Sequence, residues 1–351
     1  MASRAVYTLT RSRKLASFRR PVLPSASRKY ATASSSDNFI NIVEVGPRDG
    51  LQNEKSIIPP ATKVELINRL GKAGSKIIEA GSFVSPKWVP QMAGTAEVVT
   101  AMDKLSGVTY QVLVPNEKGL ENLFALLAKH PDSPPIDEIA VFTAATDAFS
   151  KANTNVTVAE SLEILGRVTR AALDKGIRVR GYVSVVIDCP YSGKVTPARV
   201  RDVTKALLDM GCYEVSLGDT VGTGTPTTVG RMLDTVIGVN PVRKLAGHFH
   251  DTFGMGVANA LTAVSAGIRT IDSSIAGLGG CPYSPGATGN VATEDILYAL
   301  QGSQYSVPGD LEALVETGFW ISDKLGRDNS SRVAKAIRAR KEREKGEKAK
   351  L

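Results

Sequence analysis

The segment Gly247-His248-Phe249-His250-Asp251 places two of the chain's three histidines two residues apart. In a strand, residues i and i+2 point to one face, so both imidazoles face the same way and form a bidentate platform for a metal ion. Two hydrogen-bonded core histidines are the plainer alternative. His130, before Pro131 at a helix end, reads as surface. Further donors stand elsewhere in the chain. Gly46-Pro47-Arg48-Asp49-Gly50-Leu51-Gln52 sets a base and an acid side by side, with a solvated ion pair as its bland reading. Residues 277–290 hold five glycines in fourteen residues, which implies a loop that moves or takes positive φ values and that ends on Asn290. Cys281 on that loop can be delivered to a site as a thiol proton donor, or be inert. One carboxylate, two imidazoles and an amide oxygen, from Asp49, His248, His250 and Asn290, suit a hard or borderline divalent ion with open positions. Mg²⁺ or Mn²⁺ is favoured, since zinc prefers thiolate or a third histidine.

Such donors need elements to bring them together. Eight short β-branched runs, at 39–45, 76–81, 109–114, 138–143, 179–186, 213–217, 244–250 and 270–275, alternate with amphipathic segments at the spacing of βα units. Helix starts are marked by Pro59-Pro60, Thr157, Thr196-Pro197 and Thr225-Pro226. Eight parallel strands with crossover helices predict an α/β fold, a TIM (β/α)8 barrel, with Ile42, Val112, Ile139, Val183 and Val215 filling its interior. Chemistry gathers at the carboxyl ends of barrel strands. Closure sets strand eight between strands seven and one, so the four donors can converge there. Glu79 ends strand two and can support Arg48 or a ligand. Asp219 ends strand six, as a catalytic acid or an ordinary loop acid.

Composition bounds the rest. The 351 residues are 42% hydrophobic and 22% charged, which excludes collagen-like and wholly disordered classes. The net charge of +8 sits at the ends: residues 1–36 carry eight basic residues and no acid, and residues 332–351 carry nine basic and three acidic ones. The body between has 26 basic against 32 acidic residues, so nucleic acid is not an expected partner. Residues 1–36 read as a mitochondrial transit peptide, and the terminal Ala349-Lys350-Leu351 is similar to a peroxisomal address. No apolar run is long enough for a membrane span. Three widely spaced cysteines argue against a disulfide framework. The organisation expected is thus a transit segment 1–36, a barrel 37–302, a C-terminal helical extension 303–331 and a charged tail 332–351.

The stretches GPRDGLQNEK, SFVSPKWVPQM, GCYEVSLGDTVGTGTP, HFHDTFGMGVANAL and GLGGCPYSPGATGNVATED resemble the 3-hydroxy-3-methylglutaryl-CoA lyase family of metal-dependent barrels, over about residues 39–302. The resemblance implies cleavage of that acyl-CoA to acetoacetate and acetyl-CoA, in leucine catabolism and ketone-body formation in the mitochondrial matrix, by a homodimer. It also implies that Asp49, His248, His250 and Asn290 are the metal ligands, and that Arg48 steadies the enolate. Cys281 matches the loop thiol, Glu79 and Asp219 match further catalytic acids, and Gln52 and Glu294 support the site. His248 can be the base only if it leaves the metal or uses its other nitrogen; Asp219 or a bound water competes for that role. The departures are Ala80-Gly81 before Ser82 and Ile187-Asp188 before Cys189, where a small apolar residue and glycine are expected; Asp188 can alter substrate fit. No phosphate loop marks a CoA site; basic residues near the mouth, such as Lys55 and Lys87, are candidates for it. A synthase, a lyase for another branched 3-hydroxyacyl-CoA, and a silent scaffolding barrel are the alternatives.

Overall fold

Strands of a barrel are covered on both faces, so near-continuous aliphatic runs mark them rather than strict alternation. The computed structural model describes residues 38–280 and 289–348. Its parallel strands β1 Asn41–Glu44, β2 Ile77–Ser82, β3 Thr109–Leu113, β4 Glu138–Ala144, β5 Arg178–Ser184, β6 Glu214–Asp219, β7 Leu245–Phe249 and β8 Thr270–Ser273 close into a barrel. β8 lies between β7 and β1, with Asn41 paired to Thr270 and Glu44 to Ser273. The expected barrel is therefore present, strand for strand.

The helices are α1 Pro60–Lys72, α2 Thr95–Ala101, α3 Glu117–Leu127, α4 Asp147–Thr154, α5 Val158–Leu173, α6 Pro197–Asp209, α7 Pro226–Ile237, α8 Gly256–Ser265, α9 Thr293–Leu300, α10 Leu311–Leu325 and α11 Arg332–Lys348. The local start signals act as read. α1, α6 and α7 carry proline in their first turn, and Thr157 with Glu160 and Thr225 with Thr228 form reciprocal capping boxes.

The interior differs from expectation. Ile42, Val112, Ile139, Val183 and Val215 pack in the layer between strands and helices, not on the barrel axis. Register fixes this: Gln111 pairs with Glu138, Ala140 with Arg180, Tyr182 with Ser216, and Asp272 with His248, and these are the residues that point inward. A one-residue error in parity exchanges the two faces of a strand. The axis is filled by a polar network, Arg180, Glu214, Ser216 and Asp272, below a small apolar patch of Leu113, Ala140, Phe142 and Tyr182. In β2 a bulge at Ala80 interrupts the register, so that Glu79 opposite Gln111 and Ser82 opposite Leu113 both face inward.

The charged run of the C-terminal tail is the helix α11. Its first turn is tied to the start of α9: Asp295 accepts from the Ser331 hydroxyl and the Val333 amide, at 2.6 and 3.0 Å. Among the described residues no helix is long and apolar enough to cross a membrane. The transit-like residues 1–36, Cys281, and Ala349-Lys350-Leu351 lie outside the described residues.

Candidate active site

After β1 the chain makes one wide five-residue π turn, Gly46–Gly50. Its ends are glycine for want of room: a Cβ on Gly46 would lie 2.6 Å from Glu44 Oε1, and one on Gly50 2.7 Å from Ser274 Oγ. The turn brings Arg48 into the barrel mouth with Asp49 beside it, Nη1 to Oδ1 at 2.6 Å. Arg48 Nη2 donates to Glu79 Oε2 at 2.9 Å, and the Tyr182 hydroxyl donates to the same oxygen at 3.1 Å. Arg48 is buried, so this is no solvated ion pair.

β7 brings His248 and His250 to the same mouth, ring centroids 5.4 Å apart. The donor atoms of Asp49, His248 and His250 all lie within 4.8 Å of one another. An antiparallel bridge joins His250 to Asn290, whose Nδ2 donates to Asp49 Oδ2 at 2.8 Å. Turned by half a revolution, the same amide offers its oxygen. The four residues expected to converge thus do so.

The chemistry of this set fits a cation. Burial, with His248 alongside, pulls His250 down to about 4, so its imidazole is neutral at physiological pH. Its Nδ1 is buried with no hydrogen-bond partner among the described residues. Burial pushes the Asp49 carboxyl up, but Arg48 and the two histidines outweigh it and hold the group well below the usual carboxylate range. At His248 burial also pulls downward, but the hydrogen bond and charge of Asp272, with Asp49, outweigh it and raise the group above its ordinary 6.5, so there a cation displaces a proton. A charged carboxylate and a neutral imidazole at His250 already match what a divalent ion requires.

Two buried carboxyls brace the mouth from behind. Glu44 Oε1 accepts from the amides of Gly46 and Ile275 at 2.8 and 2.9 Å, tying the π turn to the segment after β8. Glu294 accepts from the Ala276 amide at 3.0 Å and so holds that segment. Burial pushes Glu44 up to about 7 and Glu294 up to about 8, from an ordinary value of 4.5. Both bind protons more tightly folded than unfolded, so their contribution to stability is complete below pH 4.5 and is lost as pH rises through 7 to 8. Glu44→Gln keeps an acceptor for both amides and a donor toward Thr293. It should therefore be more stable than the parent at pH 8 by roughly 1–3 kcal/mol and no more stable at pH 4.5. Urea unfolding at the two pH values checks this, and an equal gain at both would disprove the linkage.

Residues 39–321 match the HMGL-like family. The chain belongs to the HMGL-like family. Hydroxymethylglutaryl-CoA lyase, mitochondrial, of Bos taurus is 50% identical over 314 residues, 89% of this chain and 94% of that protein. A Pseudomonas aeruginosa protein named 3-hydroxy-3-isohexenylglutaryl-CoA/hydroxy-methylglutaryl-CoA lyase is 50% identical over 301 residues, 86% of this chain and 98% of its own. The crystal structure of hydroxymethylglutaryl-CoA lyase from Pseudomonas aeruginosa matches with a TM-score of 0.82 at 50% identity, covering 86% of this chain and 98% of that one.

Not every residue singled out in this HMGL-like barrel reaches the mouth. Asp219 pairs in register with Phe249 and faces outward. Its oxygens accept from the Gly222 and Gly224 amides at 3.2 and 2.8 Å, and burial pushes it up to about 6. Its position is that of a group shaping the loop after β6. Asp188 accepts from the Thr223 hydroxyl at 2.7 Å and does not line the cleft. The cleft, of about 1140 Å³, runs from Arg48, Asp49 and the histidines past Gln52 to Lys55 and Lys151. Lys87 is not in its wall. Cys189 and Cys212 are buried free thiols.

Sequence reasoning missed Tyr182, Lys151 and Asp272. Tyr182 shares the parity of Arg180 on β5, and Asp272 stands next to His248 in register, so a correct assignment of the inward face would have found both.

Proposed function

We propose that this HMGL-like chain is a carbon-carbon lyase that cleaves 3-hydroxy-3-methylglutaryl-CoA to acetoacetate and acetyl-CoA. The observation that carries the reading is the convergence of Asp49, His248 and His250 beside a buried arginine at the floor of one long cleft. A divalent cation, Mg²⁺ or Mn²⁺, would be held by Asp49, His248, His250 and Asn290 and would supply Lewis acidity that eases loss of the hydroxyl proton.

The chain's own groups do the rest. Loss of the tertiary hydroxyl proton lets the bond between C2 and C3 break, leaving a ketone on the acetoacetate side and a thioester enolate on the other. Arg48 donates to that enolate oxygen, and its buried Nε has no partner among the described residues. Glu79 and Tyr182 hold the guanidinium in place. Asp219 faces outward and His248 Nδ1 faces Asp272, so water in the cleft is the acceptor left for the hydroxyl proton. The Cys281 thiol returns a proton to the acetyl-CoA carbanion. Cys281→Ser should accordingly slow turnover by about 10²-fold with Mn²⁺ affinity unchanged in a calorimeter; full activity would demote the thiol to loop packing. Lys55 and Lys151, both exposed at the rim, suit the phosphates of the CoA arm.

The relative named for the isohexenyl substrate supports a second reading, a lyase for a longer branched 3-hydroxyacyl-CoA. The deciding assay follows acetoacetate release from 3-hydroxy-3-methylglutaryl-CoA with EDTA, Mg²⁺ or Mn²⁺, on protein beginning at Ala31. Metal-dependent acetoacetate is the expected result. Metal binding without cleavage transfers the reading to another acyl chain, and absence of metal binding removes it. The basic residues 1–36 and the mitochondrial relative support residence in the matrix, in leucine catabolism and ketone-body formation. The terminal Ala349-Lys350-Leu351 supports a second, peroxisomal pool, and the enzyme is proposed to act as a homodimer.

A further inference from the structure

Asp272 lies opposite His248 in the β7–β8 register and is buried. Its Oδ2 stands 3.3 Å from His248 Nδ1 and accepts from the Ser216 hydroxyl at 2.7 Å. Its Oδ1 accepts from Arg180 Nη2 at 2.8 Å. Arg180 is fully buried and donates Nε to Glu214 Oε1 at 2.8 Å. Glu214 Oε2 in turn accepts from the Thr270 hydroxyl at 2.7 Å. The polar interior of the barrel is thus a connected line, Glu214, Arg180, Asp272, His248, ending at the metal-ligand cluster.

We propose that Asp272 is a positioning residue that fixes His248 in the Nδ1–H tautomer and so directs its Nε2 lone pair toward the point shared with Asp49 and His250. Held by an arginine and a hydroxyl donor, the carboxylate is an acceptor only, so the ring nitrogen facing it must donate. The other nitrogen alone then keeps a lone pair for a cation. His250 has no such partner, since its Nδ1 is unmatched among the described residues. The two imidazoles of β7 therefore differ: one is aligned by the barrel interior, the other adjusts to what is bound. Ser216 and Arg180 serve by holding the Asp272 carboxylate in a single orientation. This inference rests on the reading of the cluster as a metal site.

The test uses the metal-free full chain labelled with ¹⁵N, in which only three histidines must be distinguished. Long-range proton–nitrogen correlation at alkaline pH should show His248 as the Nδ1–H form, its signals assigned by their loss in His248→Ala. In Asp272→Asn the arginine, a pure donor, retains the amide oxygen, so the amide nitrogen turns toward His248. The ring must then switch to Nε2–H, which places a proton on the coordinating atom. Mn²⁺ affinity by calorimetry should fall about 10–100-fold, with the near-ultraviolet dichroism preserved. An Nε2–H ring in the parent protein overturns the proposal, as does an Asp272→Asn protein that keeps both the tautomer and the Mn²⁺ affinity of the parent. Should Asp272→Asn fail to fold, the parent spectrum alone decides. Should the parent bind no Mn²⁺, the metal reading falls, while the tautomer still reports whether Asp272 governs His248.

Discussion

Arg48→Gln should lower turnover about 10²- to 10³-fold, roughly 2.7–4 kcal/mol of transition-state stabilisation, with Mn²⁺ affinity held within about tenfold. The guanidinium makes no ligand bond in the proposed site, and its unmatched Nε is aimed at no protein acceptor among the described residues. Glutamine keeps the length but loses the charge and the fork. The substitution has a second effect that the sequence alone did not suggest. Glu79 loses its cation and, among the described residues, keeps only the Tyr182 hydroxyl, so a buried carboxylate is left underbonded. A stability loss of about 1–3 kcal/mol should accompany the kinetic loss. Steady-state kinetics, calorimetry and thermal unfolding separate the three quantities. Turnover close to that of the parent would remove Arg48 from the chemistry.

Asp49→Asn and His250→Ala should each weaken Mn²⁺ binding by more than about 100-fold, beyond what loss of an outer hydrogen-bond partner produces, and abolish cleavage at ordinary metal concentrations. Asp49 carries the only charge among the proposed ligands, and it is kept ionised by Arg48 and the histidines. His250 offers a neutral ring whose Nδ1 is buried and unpaired among the described residues. Partial recovery of Asp49→Asn at high Mn²⁺ would show that the ion is held less tightly rather than used differently. Unchanged affinity in either variant would place the ion elsewhere. Treating the parent with EDTA and restoring Mn²⁺ gives the matching control.

The fold and the meeting of Asp49, His248, His250 and Asn290 were legible because they rest on short-range signals. Proline and capping residues start the helices, β-branched runs mark the strands, and a two-residue histidine spacing survives any uncertainty about strand ends. The facing of each strand was not legible. In a barrel both faces are buried, so Val112 and Val183 look as suited to the axis as to the helical shell. Apolar-in reasoning then chose the wrong face, because this axis is filled by Gln111, Arg180, Ser216 and Asp272. Asp219 was over-read for a related reason. A carboxylate at a strand end points into the mouth or out to the loops according to parity, and here it points outward.

The proposed ligands straddle the seam where the barrel closes. Asp49 follows the first strand and Asn290 the last, and they meet across 241 residues of chain. Contacts of such separation form late, because the intervening loop must be closed before they exist. A growing or translocating chain that has released β7 holds two imidazoles without their carboxylate in place, and so lacks a high-affinity site. An ion that binds only the sealed barrel stabilises that state by mass action and leaves unfinished ones untouched. Loading of the proposed ion would thereby be coupled to completion of assembly, and a truncated chain would compete poorly for it.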